Sequence, residues 1–207
     1  MTKNKKRNVA FLVVIFCVVL VFGIKFAVEY YRSSSVRSSH TARIKGDKKA
    51  PVKITEFIDF QCPACAFGAL YLKEFMQQNP AIVQLEMKYH PFKMHAHAYL
   101  SSQYAECAAR QDKFWAFHDM ILERQSNWSK LTNARPAFDV IAQEVGLDQN
   151  ILNECLRDPA INEIIMDDKQ EGAKLGIRST PSYIINGKLF VGGKALKEEL
   201  SKYINGQ

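Results

Sequence analysis

Apolar and polar positions divide this chain into two unlike parts. A basic start containing Lys3, Lys5, Lys6 and Arg7 leads into an uninterrupted apolar run, Val9–Ile24. Lys25 breaks the run and Phe26-Ala27-Val28 extends it. At about 1.5 Å per residue, ~20 helical residues cross a hydrocarbon core of ~30 Å. Residues 9–28 therefore suffice for a span if Lys25 snorkels to the interface. Tyr30 and Tyr31 fall where an aromatic belt belongs, and the preceding basic cluster predicts a cytoplasmic N-terminus. A buried core helix would carry a polar stripe, and Val9–Ile24 has none. The rival reading is a signal peptide cleaved near Val21-Phe22-Gly23, but apolar sequence continues past that point. Lipidation of Cys17 is disfavoured by the bulky Val14-Ile15-Phe16 before it. The stretch 32–50 is Ser-rich and basic, which predicts a flexible tether.

Beyond residue 50 the periodicity changes. Pro51–Phe60 is dominated by β-branched and aromatic residues and reads as a strand, as does the alternating Ile82–Tyr89. Pro63–Gln78 between them has apolar residues at helical spacing and ends before Asn79-Pro80. From about His95 to Gly176 the pattern is helical, with segments around Tyr99–Arg110, Phe114–Leu122, Ala137–Val145 and Ile161–Leu175. Pro181–Ile185 and Lys188–Val191 form a hairpin about Asn186-Gly187, a strong two-residue turn signal. Ala195–Ile204 closes the chain as a helix. The order predicts a small mixed sheet flanked by helices, an α/β fold with a helical insertion at about 95–176. The domain organisation is then a basic tail and anchor (1–29), a flexible linker (30–50) and one folded domain (51–207).

Charge changes this picture in one respect. Residues 1–50 hold 11 Lys/Arg against two acids, a net +9; the rest hold 17 against 19, a net −2. The basic excess thus lies off the folded part, which argues against nucleic-acid binding. The sequence also lacks the fixed period of a repeat protein.

The chemistry concentrates in Gln61-Cys62-Pro63-Ala64-Cys65, between a strand and a helix. Cys62 falls at the helix N-terminus, where free N–H groups and the macrodipole stabilise a thiolate. Pro63 suits a first turn that has no use for its N–H. Cys65, one turn on, is placed to close a disulfide and to be the more buried. Cys62 is then the low-pKa nucleophile and Cys65 the resolving thiol. Three blander readings compete. A zinc site would need a second C-x-x-C or a His-x₃₋₅-His pair, which the chain lacks, so no metal is expected. An inert disulfide would not need the strand-to-helix elbow. Two reduced core thiols fit poorly in the oxidising compartment that an anchor implies.

Four segments together resemble the DsbA-like branch of the thioredoxin superfamily: Val52–Cys65, Cys107–Asp119, Gly176–Gly187 and Phe190–Gly193. The resemblance implies a thioredoxin fold with a helical insertion after the second strand. It implies that Thr180-Pro181 is a cis bond facing the dithiol, exposing the Thr180 backbone to an extended client beside Pro63 and Ala64. An ordinary trans turn proline is the alternative. The resemblance also places a buried acid at Glu56, able to take and return the proton of Cys65. Its parity with Ile54 and Ile58 favours burial over a solvent-facing strand position. Where relatives often have His between the cysteines, this chain has Ala64, which weakens thiolate stabilisation and oxidising power. Relatives with a second, structural disulfide place it as Cys107–Cys155; two separate buried thiols remain the alternative. His90, His95, His97 and His118 read as structural. Phe114, Trp115 and Phe117 read as packing for the insertion, with any exposed part offering a groove for unfolded chains.

The implied activity is dithiol–disulfide exchange on folding, cysteine-containing proteins at the outer face of the cytoplasmic membrane, in the periplasm or its equivalent. The dithiol itself is the redox group, with no further cofactor. Oxidation of clients comes first, with a quinone-linked membrane partner reoxidising the pair. A reductase or isomerase fed by an electron donor is the alternative on the same site. A membrane-tethered chaperone without redox activity is the alternative of another class.

Overall fold

The fold was obtained as a computed structural model that describes residues 3–204; the side chains of residues 3–11 and 28–38 lie outside that description. The chain divides into two units, Met1–Ser38 and Ser39–Gln207. The first consists of most of a long helix, α1 (Lys3–Ala42). Its described side chains, 12–27, are exposed, with Leu12, Phe16, Phe22 and Phe26 among them. Among the described residues, no helix is long and apolar enough to cross a membrane. The expected span at 9–28 includes Val9, Ala10, Phe11 and Val28, whose side chains lie outside the described residues, as do those of Tyr30 and Tyr31.

The second unit is built on a five-stranded sheet in the order β1-β3-β2-β4-β5. These strands are β1 (Ile44–Gly46), β2 (Val52–Ile58), β3 (Val83–Tyr89), β4 (Ser182–Ile185) and β5 (Lys188–Val191). β2 and β3 run parallel and the other neighbours antiparallel. A parallel pair needs a crossover, supplied here by α2 (Pro63–Gln78). The β4–β5 hairpin turns at Asn186 and Gly187, with φ of 47° and 83°, the left-handed geometry that a two-residue turn requires. α9 (Gly192–Ile204) then packs back with α2. Ile54, Leu85, Tyr183 and Ile185 of the sheet meet Leu72 and Phe75 of α2 and Leu196 and Leu200 of α9 in one apolar cluster.

Between β3 and β4 lies the helical block: α3 (Ala98–Ala109), α4 (Phe114–Glu123), α5 (Gln125–Trp128), α6 (Arg135–Glu144), α7 (Gln149–Cys155) and α8 (Ala160–Lys174). Tyr104, Phe117, Trp128 and Phe138 are fully buried within it and meet edge-on or stacked. Cys107 on α3 and Cys155 on α7 are joined by a disulfide, with their Cα atoms 5.8 Å apart. They are 48 residues apart in the chain, a closure worth about 4 kcal/mol in the chain-entropy account.

Residues 39–50 do not form the tether expected of the linker 30–50. Helix α1 runs to Ala42, Ser39 and Arg43 are buried, and β1 pairs antiparallel with β3. The physical reason is a demand for positive charge inside the domain. Glu106 of α3 is fully buried and Asp168 of α8 is nearly so. The Arg43 guanidinium reaches Asp168 at 2.5 Å, lies 3.7 Å from Glu106 and sits 4.7 Å over the ring of Tyr89. Tyr89 donates its hydroxyl to Glu106 and its backbone N–H to Asp168. A basic residue that looks solvated in sequence is thus the counterion of two acids it never neighbours in the chain. Breaking a buried pair from one side typically costs about 3–5 kcal/mol. Arg43→Met is therefore expected to lower unfolding free energy by about that amount in urea denaturation, although residue 43 precedes every strand expected from the sequence.

Candidate active site

The turn between β2 and α2 builds the site. Asp59, fully buried, folds it: one carboxylate oxygen accepts the Gln61 N–H at 2.8 Å. The other accepts the Phe92 N–H at 2.9 Å and meets His95 Nδ1 at 2.8 Å. The Asp59 carbonyl accepts the Cys62 N–H at 3.0 Å. Cys62 occupies the N-cap with an extended backbone, and Pro63 opens the helix. The helical block grips the same turn. Gln125 of α5 donates to the carbonyls of Phe60 (2.7 Å) and Cys62 (3.0 Å). Gln61 donates to the Ser129 carbonyl and accepts the His97 N–H.

Cys62 and Cys65 are both free thiols; Cys62 is half-buried and Cys65 fully buried. Pro63 and Ala64 are exposed beside them. The Thr180–Pro181 bond is cis, and the Thr180 carbonyl accepts from the Cys62 thiol at 3.3 Å. The ionisation of the pair is strongly split. The Cys65 S–H pointing at Cys62 is the main reason that the Cys62 pKa falls to about 5. Burial opposes the fall, while the Cys65 and Ala64 N–H groups and Thr180 assist it. The Thr180 carbonyl contact belongs to the thiol form, since a thiolate has no proton to donate. Burial, together with the neighbouring Cys62, pushes the Cys65 thiol well up. Donors of the helix start thus stabilise the anion although Ala64 stands where a histidine could have.

Glu56 lies on β2 opposite Met87 and Tyr183. It is fully buried, and neither of its oxygens has a hydrogen-bond partner in the protein. Burial pushes its pKa up to about 8, with Lys45 and Tyr183 pulling the other way. The Tyr183 hydroxyl is close by but completes no hydrogen bond, so geometry leaves this carboxyl neutral and unpaired. A charge on Glu56 raises the Cys65 pKa, which places the two groups within electrostatic reach. Gly68 makes room for the arrangement: a Cβ there would stand 2.2 Å from the Tyr183 hydroxyl and 3.5 Å from Pro181 Cγ.

Cys62, Cys65, Thr180, Pro181 and Glu56 therefore gather at one place, whereas Cys107 and Cys155 lie in the helical block, bonded to each other. Buried His90, His97 and His118 pack in the interior. Trp115 packs against the sheet cluster and carries the Lys45 ammonium over its ring. Sequence reasoning missed Lys45, Asp59, Gln125 and Tyr183. Gly68 was the available signal: a glycine inside a helix costs about 1 kcal/mol against alanine and so marks a close approach. Among the described residues no group of three His, Cys, Asp or Glu side chains could hold a metal ion.

A family model described as thioredoxin matches residues 38–206. The chain is 27% identical over 147 residues to a protein named Na(+)/H(+) antiporter NhaA 3 of Salinispora tropica. That match covers 70% of this chain and 22% of the antiporter, so the chain spans about a fifth of that relative's length. It is 29% identical over 156 residues to a probable disulfide bond formation protein D of Bacillus cereus, covering 72% of each. The solved structure of the thiol-disulfide exchange protein alpha-DsbA2 of Wolbachia pipientis superposes with a TM-score of 0.63 at 21% identity. That superposition covers 87% of this chain and 98% of the other.

The split ionisation has a direct test. The folded pKa of Cys62 is depressed from the ordinary thiol value of 9.0 to about 5. Ionisation therefore stabilises the reduced fold in full above about pH 9, and this contribution is lost as pH falls through about 5. Alkylation followed at Cys62 by peptide mapping, apart from the exposed Cys17, should show a midpoint near pH 5 in the reduced protein. In Cys65→Ala, which lacks the main donor, that midpoint should rise toward 9.0.

Proposed function

Because the chain belongs to the thioredoxin family, we propose that it is a protein thiol–disulfide oxidoreductase that oxidises cysteines of folding proteins outside the cytoplasm. The observation that carries the reading is the ionised, half-exposed Cys62 beside a buried Cys65 and the cis Thr180–Pro181 bond. The nucleophile faces solvent and the resolving thiol does not, the order that exchange through a mixed disulfide requires.

In the oxidised state a client thiolate attacks Cys62 Sγ. The 62–65 bond breaks, and its electron pair leaves on Cys65 Sγ, which takes a proton from Glu56. A second client thiolate then attacks the client sulfur of the mixed disulfide, and Cys62 departs as a thiolate. A leaving group with a pKa near 5 departs readily. The same stabilised thiolate favours the reduced enzyme, which makes its disulfide an oxidant. This supports client oxidation over the reductase and isomerase alternatives, even without a histidine at position 64. Thr180 contributes backbone to an extended client, with Pro63 and Ala64 forming the exposed rim. The dithiol is the redox group, and the name of the Bacillus relative agrees with the activity.

We place α1 in the cytoplasmic membrane as a single span, with the folded unit on the periplasmic or equivalent side. The exposed apolar side chains from Leu12 to Phe26 support this reading, since such a surface needs cover from water. A quinone-linked membrane protein that reoxidises the dithiol fits beside such an anchor.

Under mild oxidation Cys65→Ala should accumulate mixed disulfides with reduced, unfolded ribonuclease, and Cys62→Ser should accumulate none. Clients that bind without any mixed disulfide would point instead to a chaperone lacking redox activity. Equilibration with glutathione separates the directions: a potential near about −120 mV marks an oxidase and one near about −270 mV a reductase. The chain should stay in the membrane fraction through an alkaline carbonate wash.

A further inference from the structure

Glu56 is fully buried, and its two oxygens reach no donor. Its proton affinity is therefore raised by burial and moderated by charges standing off from it. The titratable groups that face it come from three elements: Lys45 of β1, Tyr183 of β4 and Cys65 of α2. Lys45 is the cation among them.

Several features fix that lysine. β1 pairs Lys45 with Leu85, which pairs in turn with Ile54, two residues before Glu56 on the same strand. Residues two apart on a strand share a face. Lys45 and Glu56 therefore lie on the same side of the sheet. The Lys45 ammonium is held 3.8 Å from the Trp115 ring centroid, by an aromatic face rather than by a carboxylate. Burial pulls the Lys45 pKa down, and Asp119 and Glu56 push it back. A ring at that distance favours the cation without neutralising it, so its charge acts on Glu56.

Lys45 also faces Asp119 of α4, Lys73 of α2 and, through its charge, His118 of α4. Asp119 joins Lys73 at 2.9 Å and His118 Nδ1 at 2.9 Å. Asp119 and Lys73 line a cleft of about 460 Å³ between α2 and α4. Charged groups thus lead from the dry carboxyl to solvent.

We propose that Lys45, supplied by the edge strand β1, is the positioning residue for the proton that Glu56 exchanges with Cys65. The proposal rests on the exchange reading above. In the resolving direction the Cys65 thiol gives its proton to the Glu56 carboxylate, and Cys65 Sγ attacks Cys62 Sγ. The bond from Cys62 to the partner sulfur breaks, and its electron pair leaves on that sulfur as a thiolate. Cys65 is oxidised and the partner is reduced. The ammonium of Lys45 keeps a useful fraction of Glu56 ionised for this step near neutral pH.

The test uses the full chain in detergent, loaded as a mixed disulfide of Cys62 with glutathione, and follows glutathione release against pH. In the wild type the rate should rise through a midpoint near pH 8, the value set for Glu56. Lys45→Met should move that midpoint up by about one pH unit and slow release at pH 7 ~tenfold. Lys45→Arg, which keeps the charge, should hold the wild-type midpoint. In a Glu56→Gln background, Lys45→Met should cause no further change. Circular dichroism checks that each variant is folded. An unmoved midpoint in folded Lys45→Met, or an equal slowing in the Glu56→Gln background, overturns the proposal alone. A wild type that never forms the mixed disulfide overturns the exchange reading and the proposal with it.

Discussion

A carboxyl group kept in a dry interior without a single hydrogen bond is the constraint around which the second unit is arranged. Such a group is costly when ionised and tolerable when neutral. Glu56 meets this condition through its position on β2, between β3 and β4 and under α2. Tyr183 fills the space beside it, and Gly68 lets the tyrosine approach the helix. The consequence reaches the sulfurs. A neutral acid beneath Cys65 can supply a proton when that sulfur becomes a leaving group and accept one when it becomes a nucleophile. The dithiol therefore works in an environment that separates its two members, one wet and ionised, the other dry and protonated.

The second arrangement is mechanical. The turn carrying Cys62 is held from the sheet side by Asp59 and from the helical side by Gln61 and Gln125. Asp59 and Gln125 engage backbone groups of the turn and the Gln61 side chain reaches out of it to the Ser129 carbonyl, so these contacts fix its path rather than its chemistry. Displacement of α5 would pull on the Cys62 carbonyl, which also accepts the Cys65 N–H. The helical block and the dithiol are therefore joined at the atoms that start α2.

Much of this was legible in the chain. Strands β2 and β3 announced themselves by alternation, the β4–β5 hairpin by Asn186-Gly187, and the reactive turn by a C-P-x-C motif at a strand-to-helix junction. Each is a local signal, carried by residues within a few positions of one another. What could not be read depends on partners distant in sequence. Arg43 and Lys45 look solvated because the acids they serve lie far along the chain, at 106, 168, 56 and 119. Strand β1 is three residues long, too short for any period to appear. α5 is a four-residue turn of polar sequence ending in a buried Trp128, and its importance lies in one glutamine amide. The absent histidine at position 64 suggested a weaker thiolate than the geometry provides, because the largest stabilisation of Cys62 comes from the Cys65 S–H, whose direction the motif alone does not give.

Strand β1 also has a bearing on solubility. A central strand such as β3, stripped of its outer neighbour, presents a ladder of unpaired amides to whatever chain comes next. Three residues, Ile44–Gly46, cover that ladder over Gln84–Glu86. A fragment trimmed to begin at Pro51 would keep every group of the dithiol turn yet bare that margin, and would be prone to stick to its own copies through new strand pairing. The basic segment that resembles a mere connector is, in this sense, a guard against aggregation.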